Sequence, residues 1–208
     1  MIRLIVIFIG LFVTLLSNGQ VKHFLPNDST QVKIESSINY DKLPFKMKMM
    51  KNMLPNKSVS YYSKIGNRTE IDTDGKIMGK KIISSTIIIQ NYRHAITSIH
   101  MSAKINDSIV ENVIKKMPIP KNPNSIISFY DEHRKIHDFN CVYFISENDS
   151  IKIEGFLTKE ISGVGEFENV GMPLDYTTNH KKDKYISSTK VQKILIEPFN
   201  DSKYIIYD

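Results

Sequence analysis

Apolar and polar residues alternate with a period of two along much of the chain. Val32 to Tyr40, Ser58 to Thr73 with a turn at Ile65-Gly66-Asn67, Tyr92 to Lys104 and Lys184 to Ile196 read as strands, because that period sends successive side chains to opposite faces of a sheet. Lys81 to Gln90 contains the continuous apolar stretch Ile82 to Ile89, consistent with a central strand. The clearest stretch is Arg134 to Thr158. Phe139, Cys141, Tyr143 and Ile145 share one parity in its first half, and Ile151, Ile153, Gly155 and Leu157 share one in its second. Between them, Glu147-Asn148-Asp149-Ser150 is rich in residues that bond their own backbone or tolerate left-handed φ, which marks a turn. The pair predicts a hairpin with one dry face and one mixed face. A last short strand is expected from Lys203 to Tyr207.

Two segments carry a helical period instead. In Pro44 to Leu54 the side chains of Phe45, Met47, Met49, Met50, Met53 and Leu54 fall on one broad side, with Pro44 in the first turn and Pro55 at the end. In Asn106 to Met117, Ser108 and Glu111 have the spacing of a capping box. There Ile109, Val110, Val113, Ile114 and Met117 form an apolar stripe, and Lys115 and Lys116 sit in the last turn. Pro118, Pro120 and Pro123 stop the segment. The pattern as a whole predicts about nine to eleven strands and two helices, an α+β chain dominated by antiparallel hairpins.

The amino terminus reads differently. Residues 4–16 form a short apolar run after Arg3, followed by Ser17-Asn18-Gly19, the layout of a secretory signal peptide cut after Gly19. The run is shorter than the ~20 residues of a spanning helix. The expected organisation is a signal peptide over 1–19, a loose lead-in over 20–31 and one domain over 32–208, with no transmembrane segment after cleavage. The implied location is outside the cytoplasm, periplasmic or extracellular. Losing Arg3 leaves a formal charge of 27 − 22 = +5. The lysines are scattered and not interleaved with aromatic residues, which argues against nucleic acid as a partner.

Candidate chemistry is sparse. Cys141 is the one cysteine of the chain. It shares a parity with apolar neighbours, which predicts a buried, inert thiol. His137 and Cys141 stand four residues apart, about 13 Å along a strand and too far for proton transfer. His94 and His100 are about 20 Å apart on the same reasoning. Glu70-Ile71-Asp72-Thr73-Asp74-Gly75 echoes a calcium loop, but its twelfth position is Lys81 where a glutamate is needed. A β-turn at Thr73 to Lys76 explains that pattern more simply. No GxSxG, HExxH or paired-cysteine motif occurs. The chain is expected to be no enzyme and to need no metal or cofactor.

Ile38-Asn39-Tyr40, the methionine-rich segment ending at Pro55, Asn67-Arg68-Thr69-Glu70, Lys135 to Cys141 and Gly171-Met172-Pro173-Leu174-Asp175-Tyr176 occur in an order that resembles the outer-membrane lipoprotein carriers (LolA-like and LolB-like) and the related GLPGLI family. Asp138 stands where a glycine is usual there, and Gly171-Met-Pro-Leu replaces the full GLPGLI string. The resemblance implies a strongly curved antiparallel sheet, an unclosed half-barrel, with two helices covering its concave face. It also implies a lipid or lipoprotein acyl chain held between sheet and helices. Phe45, Met49, Met50, Met53, Ile109, Val113, Met117, Phe139, Cys141 and Tyr143 are the cavity and lid residues that this arrangement expects. Two readings stay open: an envelope protein that binds a lipid or other apolar ligand, and a protein–protein scaffold of the envelope with a filled core.

Overall fold

A computed structural model describes residues 26–77, 79–106, 108–119, 125–163, 167 and 169–206. The expected signal peptide and the first half of the lead-in, residues 20–25, lie outside these residues. Eleven strands run β1 Thr30–Lys42, β2 Lys57–Ser63, β3 Gly66–Ile77, β4 Lys80–Asn91, β5 Ile96–Ile105, β6 Ser108–Pro118, β7 Ile126–Ile136, β8 Phe139–Glu147, β9 Ile151–Thr158, β10 Met172–His180 and β11 Tyr185–Pro198. They form one sheet in the order β6-β5-β4-β3-β2-β1-β11-β10-β9-β8-β7. Every neighbouring pair is antiparallel. Each strand pairs with its neighbour in sequence except at the centre, where β1 meets β11. The two edges, β6 and β7, are therefore consecutive in the chain.

That connectivity forces the sheet to curl. Pro118 and Ile126 are eight residue steps apart, and an extended chain spans at most ~29 Å over that length. A flat eleven-stranded sheet would set its edges about 48 Å apart. Side-chain contacts show the same curl. Arg134 on β7 pairs with Asp175 on β10, three strand intervals or ~14 Å away in a flat sheet. The ring of His137, in the turn after β7, lies 3.2 Å from the Val191 carbonyl oxygen on β11.

The two covering helices are absent, and with them the helix-covered, LolA-like half-barrel. Pro44 to Leu54 holds one short helix, α1, over Phe45–Met49, followed by a 3-10 turn over Lys51–Met53. Neither buries a residue. Five residues make barely more than one turn, too short to be stable without packing. The second expected helix is the strand β6, paired with β5 from Ile96↔Pro118 to Ile105↔Ser108. The expected turn at Thr73 to Lys76 lies inside β3, where Thr73 faces Ser84 and Gly75 faces Ile82. The final strand is a 3-10 turn, Asp201–Tyr204, capped by the Asn200 side chain.

The core is lopsided. Its main cluster joins Val32, Ile34, Cys141, Phe156, Ile161, Met172, Leu174 and Val191, side chains of β1 and β8–β11 and the loop after β9. A second cluster holds Phe144, Leu157 and Phe167, flanked by Val142, Val170 and Tyr176. The two clusters lie on opposite faces of β8, since Cys141 and Tyr143 point to one and Val142 and Phe144 to the other. The hairpin thus buries apolar side chains on both faces, while Lys152 and Glu154 remain partly exposed. The cause is the loop between β9 and β10, which lays Phe167 edge-on to Phe144 at 5.3 Å between ring centroids. On β2–β4 the pairing is more polar, with Ser60 bonded to Thr69 and Thr73 to Ser84.

Candidate functional site

Among the described residues, the fold leaves one pair of sheet edges without a strand partner, β6 and β7. Eleven strands in strict alternation make β6 and β7 run in the same direction. They cannot close the curl by antiparallel pairing with each other. Both strands are exposed on both faces. Ile109 and Ile114 on β6 and Ile126, Phe129 and Tyr130 on β7 present apolar surface to solvent, with Ile109 69% and Ile126 76% exposed.

Beside β7 lies an open groove of about 860 Å³, with Ile126, Ser128 and Tyr130 on one side and Glu147, Asn148 and Lys152 among the residues opposite. Its polar wall is self-satisfied. Lys181 pairs with Glu147 at 2.8 Å and donates to the Asn148 carbonyl oxygen at 2.6 Å. The hydrogen bond from Lys181 holds the Glu147 carboxyl below its ordinary range. Lys152 pairs with Glu154 at 2.5 Å, and that hydrogen bond raises the ammonium. Behind the groove, Tyr130, Tyr143 and Phe156 form a chain of edge-on contacts at 5.8 and 5.3 Å. The Arg134 guanidinium sits 4.2 Å from the centre of the Phe156 ring while it pairs with Asp175. These contacts anchor the curled end of β7 to the body of the sheet.

On the other half of the sheet, the carboxy-terminal turn docks on β3 and β4. Asn91 donates to the Tyr204 carbonyl oxygen at 3.1 Å, and the Tyr204 hydroxyl donates to Gln31 at 3.2 Å. Lys203 lies 3.4 Å above the Tyr61 ring.

The ten residues expected to line a cavity fall in three places. Phe45 and Met49 are exposed on α1 and Met50 just after it, and Met53 is half-buried in the turn that follows. Ile109 and Val113 are exposed on β6, with Met117 half-buried near its end. Phe139, Cys141 and Tyr143 meet in the main core. Cys141 is 2% exposed. Burial pushes its thiol up to about 11, against the smaller opposing pull of a backbone hydrogen bond and Arg134. A thiol so held is a poor nucleophile at neutral pH. Among the described residues no group of three or more His, Cys, Asp or Glu is placed to hold a metal ion, and no helix is long and apolar enough to cross a membrane. The exposed residues of β7, Ile126, Phe129 and Tyr130, carry no mark in the alternation pattern.

No protein-family model matches the chain, and no curated protein matches it. Among solved structures, PNGF-II in its C2 crystal form is similar at a TM-score of 0.48 and 13% identity, over 85% of this chain and 30% of that one. Its P21 form gives 0.43 and 11% over the same shares. A β-barrel-like protein of the domain of unknown function DUF1849 from Brucella abortus gives 0.45 and 8%, over 81% of this chain and 98% of that one. This chain therefore spans less than a third of the length of PNGF-II. All three scores are below 0.5, and neither fold nor activity is carried over from these proteins.

Proposed function

We propose that this chain is a non-enzymatic, exported binding domain that engages other protein through the free edges of its sheet. The observation that carries this reading is the exposure of β6 and β7 on both faces, with six large apolar side chains among their described residues, Ile109, Val113, Ile114, Ile126, Phe129 and Tyr130. An exposed edge offers a row of unpaired N–H and C=O groups as a template for another strand. The clusters on both faces of β8 support a filled core, and the separation of the expected lid residues gives an acyl chain no common lining. Export rests on the amino-terminal pattern of charge, apolar run and small residues.

Native mass spectrometry of residues 20–208, purified from a periplasm without detergent, tests the reading. The expected result is the bare polypeptide mass, unchanged after incubation with envelope lipids. Extra mass that organic solvent extracts as lipid would overturn it.

A further inference from the structure

The order of charges along β7 carries this reading one step further, to a partner. Asp131-Glu132-His133-Arg134-Lys135 reads negative, negative, histidine, positive, positive. A strand that pairs antiparallel with a copy of itself about a two-fold axis brings residue i opposite j and j opposite i. With the axis at His133, Asp131 faces Lys135 and Glu132 faces Arg134, each pair occurring twice. No charge meets a like charge among these four pairs. Tyr130 then faces Ile136.

The geometry leaves this segment available. Asp131 is fully exposed and His133 largely so. β7 is the last strand of the sheet, so its outer backbone groups face no strand in the sheet. The register with β8 passes from Phe129↔Phe144 directly to His133↔Val142. Tyr130, Asp131 and Glu132 therefore form a bulge, without register partners on β8. A charged and bulged edge ordinarily blocks strand pairing. Here the charge order turns the block into a filter. It repels strands that arrive in another register and admits one register of a second copy. Arg134 stays with Asp175 and the Phe156 ring within its own chain, so the two Asp131–Lys135 pairs carry the register, and Glu132 meets no like charge in it.

We propose that the chain forms a two-fold homodimer by antiparallel pairing of β7 with β7, centred on His133. This rests on the reading of the edges as a protein-binding surface. One strand pair is expected to bury less than a standard interface, so the dimer is expected to be weak.

The test is sedimentation equilibrium of residues 20–208 over a wide concentration range. Wild type is expected to show monomer and dimer. Asp131→Lys places like charges opposite at two positions, and Lys135→Asp does the same with the opposite sign. Each variant is expected to dimerise about tenfold more weakly or worse. An equimolar mixture of the two is expected to recover the affinity as a heterodimer, because the lysine introduced in one chain then faces the aspartate introduced in the other. Both positions are exposed, and matching circular dichroism spectra confirm that the variants fold. Wild type that stays monomeric to about 1 mM (−4.1 kcal/mol) would overturn the homodimer. So would a mixture that associates no better than its components. Neither result touches the proposed protein-binding function, which stands or falls on the lipid measurement above. Monomeric protein that associates with a different envelope protein would give the edge to that partner and overturn the homodimer.

Discussion

Gly155 sits in the middle of β9, in one row with Phe144 on β8 and Tyr176 on β10. Its φ is 153°, in a region that side-chain-bearing residues rarely adopt. A Cβ at this position would lie 2.6 Å from the Tyr176 Cα and 2.9 Å from the Tyr176 Cβ, and closer still to the Asp175 carbonyl oxygen. The obstructing atoms belong mainly to ladder backbone, which cannot rotate away as a flexible side chain can. Gly155→Ala thus adds two penalties. The disfavoured dihedral costs ~1–3 kcal/mol. Overpacking in a rigid site costs a further ~1–3 kcal/mol. Together they remove about 2–6 kcal/mol, a large share of the ~5–15 kcal/mol that holds a domain folded. Gly79 is the control. Its φ is also positive, at 79°, but nothing lies within 4 Å of its Cβ position. Gly79→Ala bears only the dihedral penalty, ~1–2 kcal/mol. The chain has no tryptophan, so urea unfolding is followed by far-ultraviolet circular dichroism. A Gly155→Ala loss below about 1 kcal/mol, or no larger than that of Gly79→Ala, refutes the close approach of β9 to β10.

Cys141 makes stability depend on alkaline pH. Its thiol ionises more readily unfolded, near 9.0, than folded, where burial pushes it to about 11, so stability is lost as pH rises through that window. Urea midpoints from pH 8 to 11 should fall more steeply for wild type than for Cys141→Ala, and equal slopes would contradict the burial. His180 acts at the acid end. It is stacked on Tyr185 at 3.9 Å, and burial lowers its pKa below the ordinary 6.5 while Asp183 pulls the other way. The unfolded chain takes up the proton first, so stability falls as pH drops below about 6.5; thermal melts between pH 5 and 7 should show a shallower slope for His180→Gln. Tyr204→Phe removes the donor to Gln31 and should cost about 1 kcal/mol in urea unfolding, with no loss at all refuting that hydrogen bond.

The strands with at least one covered face were legible from sequence. β1 and β11 show to within a few residues of their ends because burial selects side chains and leaves a period, and β4 shows as a continuous apolar run. The hairpin of β8 and β9 shows in the sequence, but the cover on its second face does not. Nothing within residues 139–158 reports that Phe167 will cover their second face. β6 mimics a helix for the converse reason. Exposed on both faces, it has no alternation to display. Its apolar residues come in pairs, Ile109-Val110 and Val113-Ile114, and pairs four residues apart mimic a helical stripe. The β-branched Ile and Val were the signal that favoured a strand. β7 is hidden in the same way, as the mixed run Ile126 to Ile136. The candidate site was thus legible least, because a free edge is defined by the lack of the packing that writes a pattern into sequence.

The count of strands decides what such edges can do. In an all-antiparallel sheet with an even number of strands, the outer two run in opposite senses, and curling lets them pair and shut the barrel. With the eleven strands of the described residues, β6 and β7 run the same way, and they cannot close on each other by antiparallel pairing however far the sheet curls. The apolar and charged side chains there are then not relics of an incomplete closure. They sit on backbone that only another strand, running against β6 or β7, can satisfy in antiparallel fashion. A two-fold copy meets this condition at β7, since antiparallel pairing across the axis is what two-fold symmetry supplies to an edge. It leaves β6 free. The same dimer would then present two β6 edges, one from each protomer, for other extended segments to join.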